Sequence, residues 1–168
     1  MITIQKRPLT QGEAFLLIND IQEYPDLLYV SEHRFLSLPV AYVAEVDGQF
    51  AGVCGVYEFG TWIKLGPLVA LKTFHGMGIG RKLIERILID FPDRNAHISS
   101  SNIKVQKVVL SLGFTERESF FSLPNVVKKF LFGQLMDMIS IKLIVDSTRK
   151  FFQYKRGPMR WYVRYNAA

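Results

Sequence analysis

Residues 68–81 read Leu68-Val69-Ala70-Leu71-Lys72-Thr73-Phe74-His75-Gly76-Met77-Gly78-Ile79-Gly80-Arg81: an apolar strand-like run, then three glycines at alternate positions. An amphipathic helix follows, with Leu83, Ile84, Ile87, Leu88 and Phe91 at helical spacing and Pro92 as its stop. No Ser, Asp or Asn stands where it would cap that helix. Its first-turn N–H groups are therefore open to an anion, and the helix dipole favours negative charge there. Gly76, Gly78 and Gly80 carry no side chain to hold phosphate oxygens off the main chain, and Arg81 and Lys82 add positive charge beside them. A Walker A loop would need Gly-Lys followed by Ser or Thr, which is absent. A dinucleotide fingerprint would need another glycine spacing at an earlier place in the chain. Taken alone, the glycines also suit a tight strand-to-helix turn.

Upstream, Ile2 and Ile4 alternate with polar residues in a short strand, and Thr10 with Glu13 forms a capping box for a helix bearing Phe15, Leu16 and Ile18. Residues 24–38 show no clear period. Residues 40–46 and 50–59 are β-rich and joined by Asp47-Gly48, a hairpin signal. Residues 62–71 form another apolar run, which Gly66-Pro67 interrupts because proline cannot donate to a ladder. Downstream, residues 96–100 are a short strand. Asn102 caps a helix with Val105, Val108, Val109 and Leu112 on one face, ending at Gly113. Residues 114–123 read as extended, 124–146 as a long apolar helix and 160–165 as a closing strand.

The chain has 168 residues, of which 49% are hydrophobic and 21% charged, so it can bury a core and is not disordered throughout. The one cysteine, Cys54, excludes an internal disulfide, sits in an apolar strand as a structural thiol, and cannot build a Cys-rich zinc site. His33, His75 and His97 lack metal-ligand spacing, so no metal is expected. The first ten residues lack a signal peptide's apolar run, and 130–145 is too short and too charged to span a bilayer. A cytoplasmic protein without a transmembrane segment is expected. Net charge is +6, with 14 basic and 14 acidic residues in 1–141, so the whole excess lies in 142–168.

His75-Gly76-Met77-Gly78-Ile79-Gly80 resembles the Gln/Arg-x-x-Gly-x-Gly/Ala acyl-CoA signature of the GNAT (Gcn5-related N-acetyltransferase) superfamily, with His in the first place. Asn102 with Gly113-Phe114 resembles that family's Asn…Tyr…Gly-Phe segment, and the order of elements over residues 2–121 matches as well. The resemblance implies an α/β fold with a central mixed, mostly antiparallel sheet splayed between its fourth and fifth strands, flanked by helices, here with an extra C-terminal helix. Residues 1–123 would form the acyl-CoA-binding core. Residues 124–168 would add an apolar helix and a basic, aromatic-rich closing segment, packed on the same domain or at a homodimer interface. Leu68, Val69 and Ala70 would hold pantetheine like an added strand. His75, Gly76, Met77, Gly78, Ile79, Gly80 and Arg81 would hold the pyrophosphate, with Asn102 near the pantetheine.

The activity so implied is acetyl or other acyl transfer from acyl-CoA to a primary amine, by direct attack in a ternary complex. It needs a base for the amine, a donor for the oxyanion and an acid for the departing thiolate. The family's usual acid is a tyrosine seven residues after the Asn, where this chain has Val109. Glu58 is a candidate base, directly or through water. Ser100, within Ser99-Ser100-Ser101, is a candidate acid, and His97 lies on the same strand. Two other classes stay open. One is an acyl-CoA-binding module with altered or lost catalysis. The other is a nucleic-acid-associated modifier using Arg149, Lys150, Lys155, Arg156, Arg160 and Arg164 among Phe151, Phe152, Tyr154, Trp161 and Tyr162. The amine acceptor is not identified by the sequence.

Overall fold

A computed structural model describes residues 1–22, 30–138, 148–149 and 158–166. β1 (Ile2–Lys6) leads to α1 (Gln11–Ile21) and the short α2 (Glu32–Leu36). β2 (Val40–Val46), β3 (Gln49–Phe59) and β4 (Trp62–Ala70) form a meander, followed by α3 (Ile79–Asp90). β5 (Asn95–Ser100), α4 (Ile103–Ser111), β6 (Thr115–Arg117), α5 (Asn125–Met138) and β7 (Arg160–Arg164) complete the order.

Local chemistry accounts for most of these boundaries. Thr10 accepts from the Glu13 N–H while Glu13 reaches back to the Thr10 N–H, the reciprocal box that starts α1. Asp47 and Gly48 both take positive φ, +49° and +79°, which gives the β2–β3 turn the twist that two-residue hairpins need. The apolar stripe of α3 buries Ile79, Leu83, Ile84 and Ile87. Two expectations change. Only Thr115–Arg117 of the 114–123 stretch is extended, and Phe120–Ser122 closes into a 3-10 turn. Of the long helix expected over 124–146, α5 accounts for Asn125–Met138, and 139–146 lie outside the described residues.

The sheet order is β1-β2-β3-β4-β5-β7-β6. Every pairing is antiparallel except β4 with β5, which run parallel. β7 thus lies inside the sheet, between β5 and β6. α3 and α4 cover one face, where Ile63, Leu65, Leu83, Ile98 and Val109 share one core. α1 and α2 cover the other, against Val43, Val53 and Val69. α5 packs on this second side too, where Val127 and Leu131 meet Trp62 and Val163.

β4 and β5 pair only through Trp62–Asn95, Ile63–Ala96 and Lys64–His97. Beyond that point β5 continues on β7, to Ser100 opposite Arg160, while β4 continues on β3, to Ala70 opposite Gly52. The sheet is therefore split by a wedge that opens just after Lys64 and His97. Gly66-Pro67 falls at the start of the split, opposite a register shift between Cys54 and Val56 of β3.

Candidate acyl-CoA site

The wedge exposes one edge of β4. Leu71 N–H donates to Ala51 O on the β3 side. By the alternation of an antiparallel ladder, Val69 also faces β3, while Leu68 and Ala70 turn their main-chain groups to the opening. His75 marks that edge, with Nε2 3.2 Å from Ala70 O. The chain then turns through a 3-10 segment, Lys72–Phe74, and climbs into α3 through Gly76 and Gly78. Both take left-handed φ, +85° and +76°. A side chain there would be strained, yet a Cβ on either would meet nothing within 4 Å. Backbone shape, not crowding, thus requires glycine, and the space in front of the main chain is open. Gly78 is the N-cap of α3 and offers no side-chain acceptor, so the helix start carries uncompensated positive polarity. This cradle fits a phosphate group.

Arg81 contributes differently from expectation. Its Nε donates to Glu85 at 2.8 Å and its guanidinium reaches Ser111 Oγ at 3.0 Å, so the side chain runs along α3 toward α4. What it offers the loop is its N–H in the first turn. Asn102 caps α4, accepting from Lys104 N–H at 2.9 Å and Val105 N–H at 3.4 Å. Ser100 lies on the part of β5 that has left β4. Its Oγ accepts from the Asn102 N–H at 3.1 Å, an arrangement that leaves the hydroxyl proton to be donated elsewhere.

Glu58 is not brought to the wedge. It pairs with Ile63, on the closed side of the split, and its carboxylate lies 3.6 Å from Arg94, which also donates to Gly60 O. The candidate base thus stands one register row before the split, on the hairpin side, beside Arg94. Among the described residues no His, Cys, Asp and Glu group could hold a metal ion, and no helix is long and apolar enough to cross a membrane.

The acetyltransferase (GNAT) family profile matches residues 11–114, more than half of the chain and all of the wedge and glycine loop. The chain belongs to the GNAT acetyltransferase family. Among solved structures, N-acetylglutamate synthase from Neisseria gonorrhoeae, in complex with coenzyme A and N-acetyl-glutamate, is similar over 100% of this chain (TM-score 0.68, 16% identity). This chain spans only 36% of that enzyme. An IAA acetyltransferase from Bacillus cereus aligns over 99% of this chain and 100% of its own (TM-score 0.62, 13% identity). Diaminobutyrate acetyltransferase from Paenibacillus lautus, in complex with its substrate and coenzyme A, aligns over 99% and 95% (TM-score 0.62, 8% identity). At these identities the likeness is one of fold. A search of curated proteins finds no match.

Against the GNAT pattern, Val109 is the departure with consequences. It is fully buried in the core beneath α4. Its sequence position suggested that Val109→Tyr would be tolerated or even raise turnover. The packing says otherwise, because a ring and a hydroxyl would have to enter a filled core. Val109→Tyr is expected to lose about 2 kcal/mol of stability and to gain no turnover, as checked by urea unfolding and by initial rates.

Sequence reasoning passed over Lys64. The structure makes it the last β4 residue before the split, on the α5 side, where its ammonium donates to Gln134 Oε1 and stands 5.4 Å from the Tyr57 ring centroid. Burial, then the charge of Arg34, brings this ammonium down to about 8. It was legible only as the single charge between Trp62 and Leu71. Its neighbour across the strands, His97, is fully buried, with Nδ1 3.0 Å from Tyr162 O and Nε2 without a partner. Burial, chiefly, pushes its imidazole down to about 4.

Proposed function

We propose that this protein is an acyl-CoA-dependent N-acyltransferase that moves an acetyl group to a primary amine. The observation that carries the reading is the meeting of two features at one place: a β4 edge from which β5 has parted and an uncapped helix start behind two left-handed glycines. A pantetheine amide matches the first and a pyrophosphate the second. Family membership supports it, as do the coenzyme A complexes of two fold neighbours.

Acyl-CoA supplies the acyl group as an activated thioester. Leu68 and Ala70 would align pantetheine along β4, with Val69 filling the strand's α1 side. His75, Gly76, Met77, Gly78, Ile79, Gly80 and Arg81 would face the pyrophosphate with main-chain N–H groups. Asn102 would act by capping α4 beside the pantetheine, its N–H being taken by Ser100. The Ser100 hydroxyl would give its proton to the departing sulfur as the amide bond forms and the thioester bond breaks, and the proton lost from the amine nitrogen would return to Ser100 through water.

The rival within the family is a module that binds acyl-CoA without ordinary chemistry, which Val109 in place of the usual tyrosine favours. Acetyl-CoA titrated into the protein in a calorimeter should bind, and thiol release should then follow when amines are added. Binding without release across a broad amine panel would assign the module reading. Absence of binding would sink both. The nucleic-acid reading receives no support from the described part of the basic end. There Arg160 is ion-paired with Glu116 and Arg149 donates to Gln22 O, while Lys150, Phe151, Phe152, Tyr154, Lys155 and Arg156 lie outside the described residues. We further propose that 1–123 together with the closing strand form one acyl-CoA-binding body, with α5 as an added cover. A homodimer remains a separate proposal, to be read from the mass in solution.

A further inference from the structure

A second cavity, of about 510 Å³, lies on the opposite face of the sheet from α3, between α2, β3 and α5. Tyr57, Phe59 and Phe130 form its apolar walls, the Phe59 and Phe130 rings stacked with centroids 4.1 Å apart. Arg34 and Lys129 line it as well, and Gln134 at its edge holds the ammonium of Lys64. Among the described residues, no carboxylate lines this cavity and neither Arg34 nor Lys129 has an acidic partner. Arg34 is half-buried and Lys129 exposed, so both cations are free to meet an anion that enters between them and the rings.

The cavity also adjoins the wedge. Tyr57, Lys64 and His97 stand side by side across β3, β4 and β5, and the split opens immediately after them. A molecule resting on Tyr57 and Phe130 can therefore extend a group past Lys64 to the wedge's vertex. Positive surroundings disfavour a protonated amine, and an amine must be neutral to attack a thioester. Burial first, and then the charge of Arg34, hold the Lys64 ammonium down, and both act in the same sense on an amine placed beside it.

We infer that this cavity is the acceptor site and that it selects a small amine bearing a carboxylate and an apolar or aromatic body, such as an apolar amino acid. Arg34 and Lys129 hold the carboxylate, the three rings hold the body, and the amine points to the vertex beside Lys64. The inference rests on the acyltransferase reading above.

The test uses the full chain with acetyl-CoA and matched acceptors: phenylalanine against phenethylamine, leucine against isoamylamine, and spermidine as a cationic acceptor. The acids should exceed their decarboxylated partners by roughly tenfold to a hundredfold in kcat/KM. In Arg34→Gln/Lys129→Gln that preference should collapse through KM, with acetyl-CoA affinity by calorimetry unchanged. Equal or better use of phenethylamine or spermidine by the wild type overturns the inference. So does acetyl-CoA binding with no acceptor in the set consumed. Failure to bind acetyl-CoA at all removes the acyltransferase reading itself, and is thereby distinguished from failure of the acceptor assignment alone.

Discussion

Gly78→Glu should lower affinity for acetyl-CoA by roughly 100-fold, about 2.7 kcal/mol at 25 °C, and leave a folded protein. Two causes act together. The new carboxylate would occupy the open space in front of the α3 N-terminus and oppose a pyrophosphate by like charge. It would also compete for the same N–H groups, each of which contributes about 1.5–3 kcal/mol toward a charged acceptor. Folding should survive because a Cβ at Gly78 meets nothing within 4 Å, and the cost is confined to the left-handed φ of +76°. For a non-glycine residue that is roughly 1–2 kcal/mol. Gly78→Asn, which tolerates the left-handed region and carries no charge, should fall between the two proteins in calorimetric titration. A well-folded Gly78→Glu protein with unchanged affinity would falsify the phosphate cradle.

The strongest local signals in the sequence were the ones that matched structure. The Thr10 box, the Asp47-Gly48 turn, the α3 stripe and the Asn102 cap all involve residues within four positions of one another, where pattern and geometry are nearly the same thing. The glycine loop was legible for the same reason. What escaped depended on distance in the chain. Glu58 showed no partner in its own stretch of sequence, yet Arg94, thirty-six positions on, lies 3.6 Å from its carboxylate. Arg81 looked aimed at the loop, yet Glu85 and Ser111 take its guanidinium. Val109 was read as a vacancy for a tyrosine, although a strand face and a helix face close around it. Arg34, Tyr57 and Lys129 come from three elements that no local period relates, so their cavity left no trace in the sequence.

The role of α5 follows from the same comparison. Its apolar length called for packing on the same domain or at a homodimer interface, and Val127 and Leu131 are used against Trp62 and Val163 of this same sheet. The helix also brings Phe130 and Gln134 over Tyr57 and Lys64. The added C-terminal element therefore roofs the face of the sheet where the wedge begins. In a fold whose glycine loop is common property, such a roof is where acceptor choice can differ between relatives.

Stability should fall as pH drops from about 6.5 toward 4, with His97 carrying about one proton of that loss, ~1.4 kcal/mol per pH unit at its steepest. The sign follows from where the proton prefers to be. In the folded protein burial holds the imidazole down to about 4, while in the unfolded chain it titrates near its ordinary 6.5. Between those values the unfolded chain binds the proton and the folded one does not, so acid favours unfolding. Above the window both states are neutral, and below it both are charged. The Nδ1 proton is donated to Tyr162 O, which leaves the Nε2 lone pair with no donor to stabilise it and the Lys64 ammonium opposing a second charge. Glu13 and Asp90, both held below the usual carboxylate range by hydrogen-bonded partners, add their own loss at the acid end. The measurement is therefore a difference. Urea midpoints of wild type and His97→Gln are compared at steps from pH 7 to 4.5, and the variant's profile should be flatter by that one proton. Parallel profiles would show that His97 takes up its proton without unfolding. The vertex of the wedge would then be open to water, and the buried, neutral imidazole beside Lys64 would no longer describe the floor on which an acceptor amine must lose its charge.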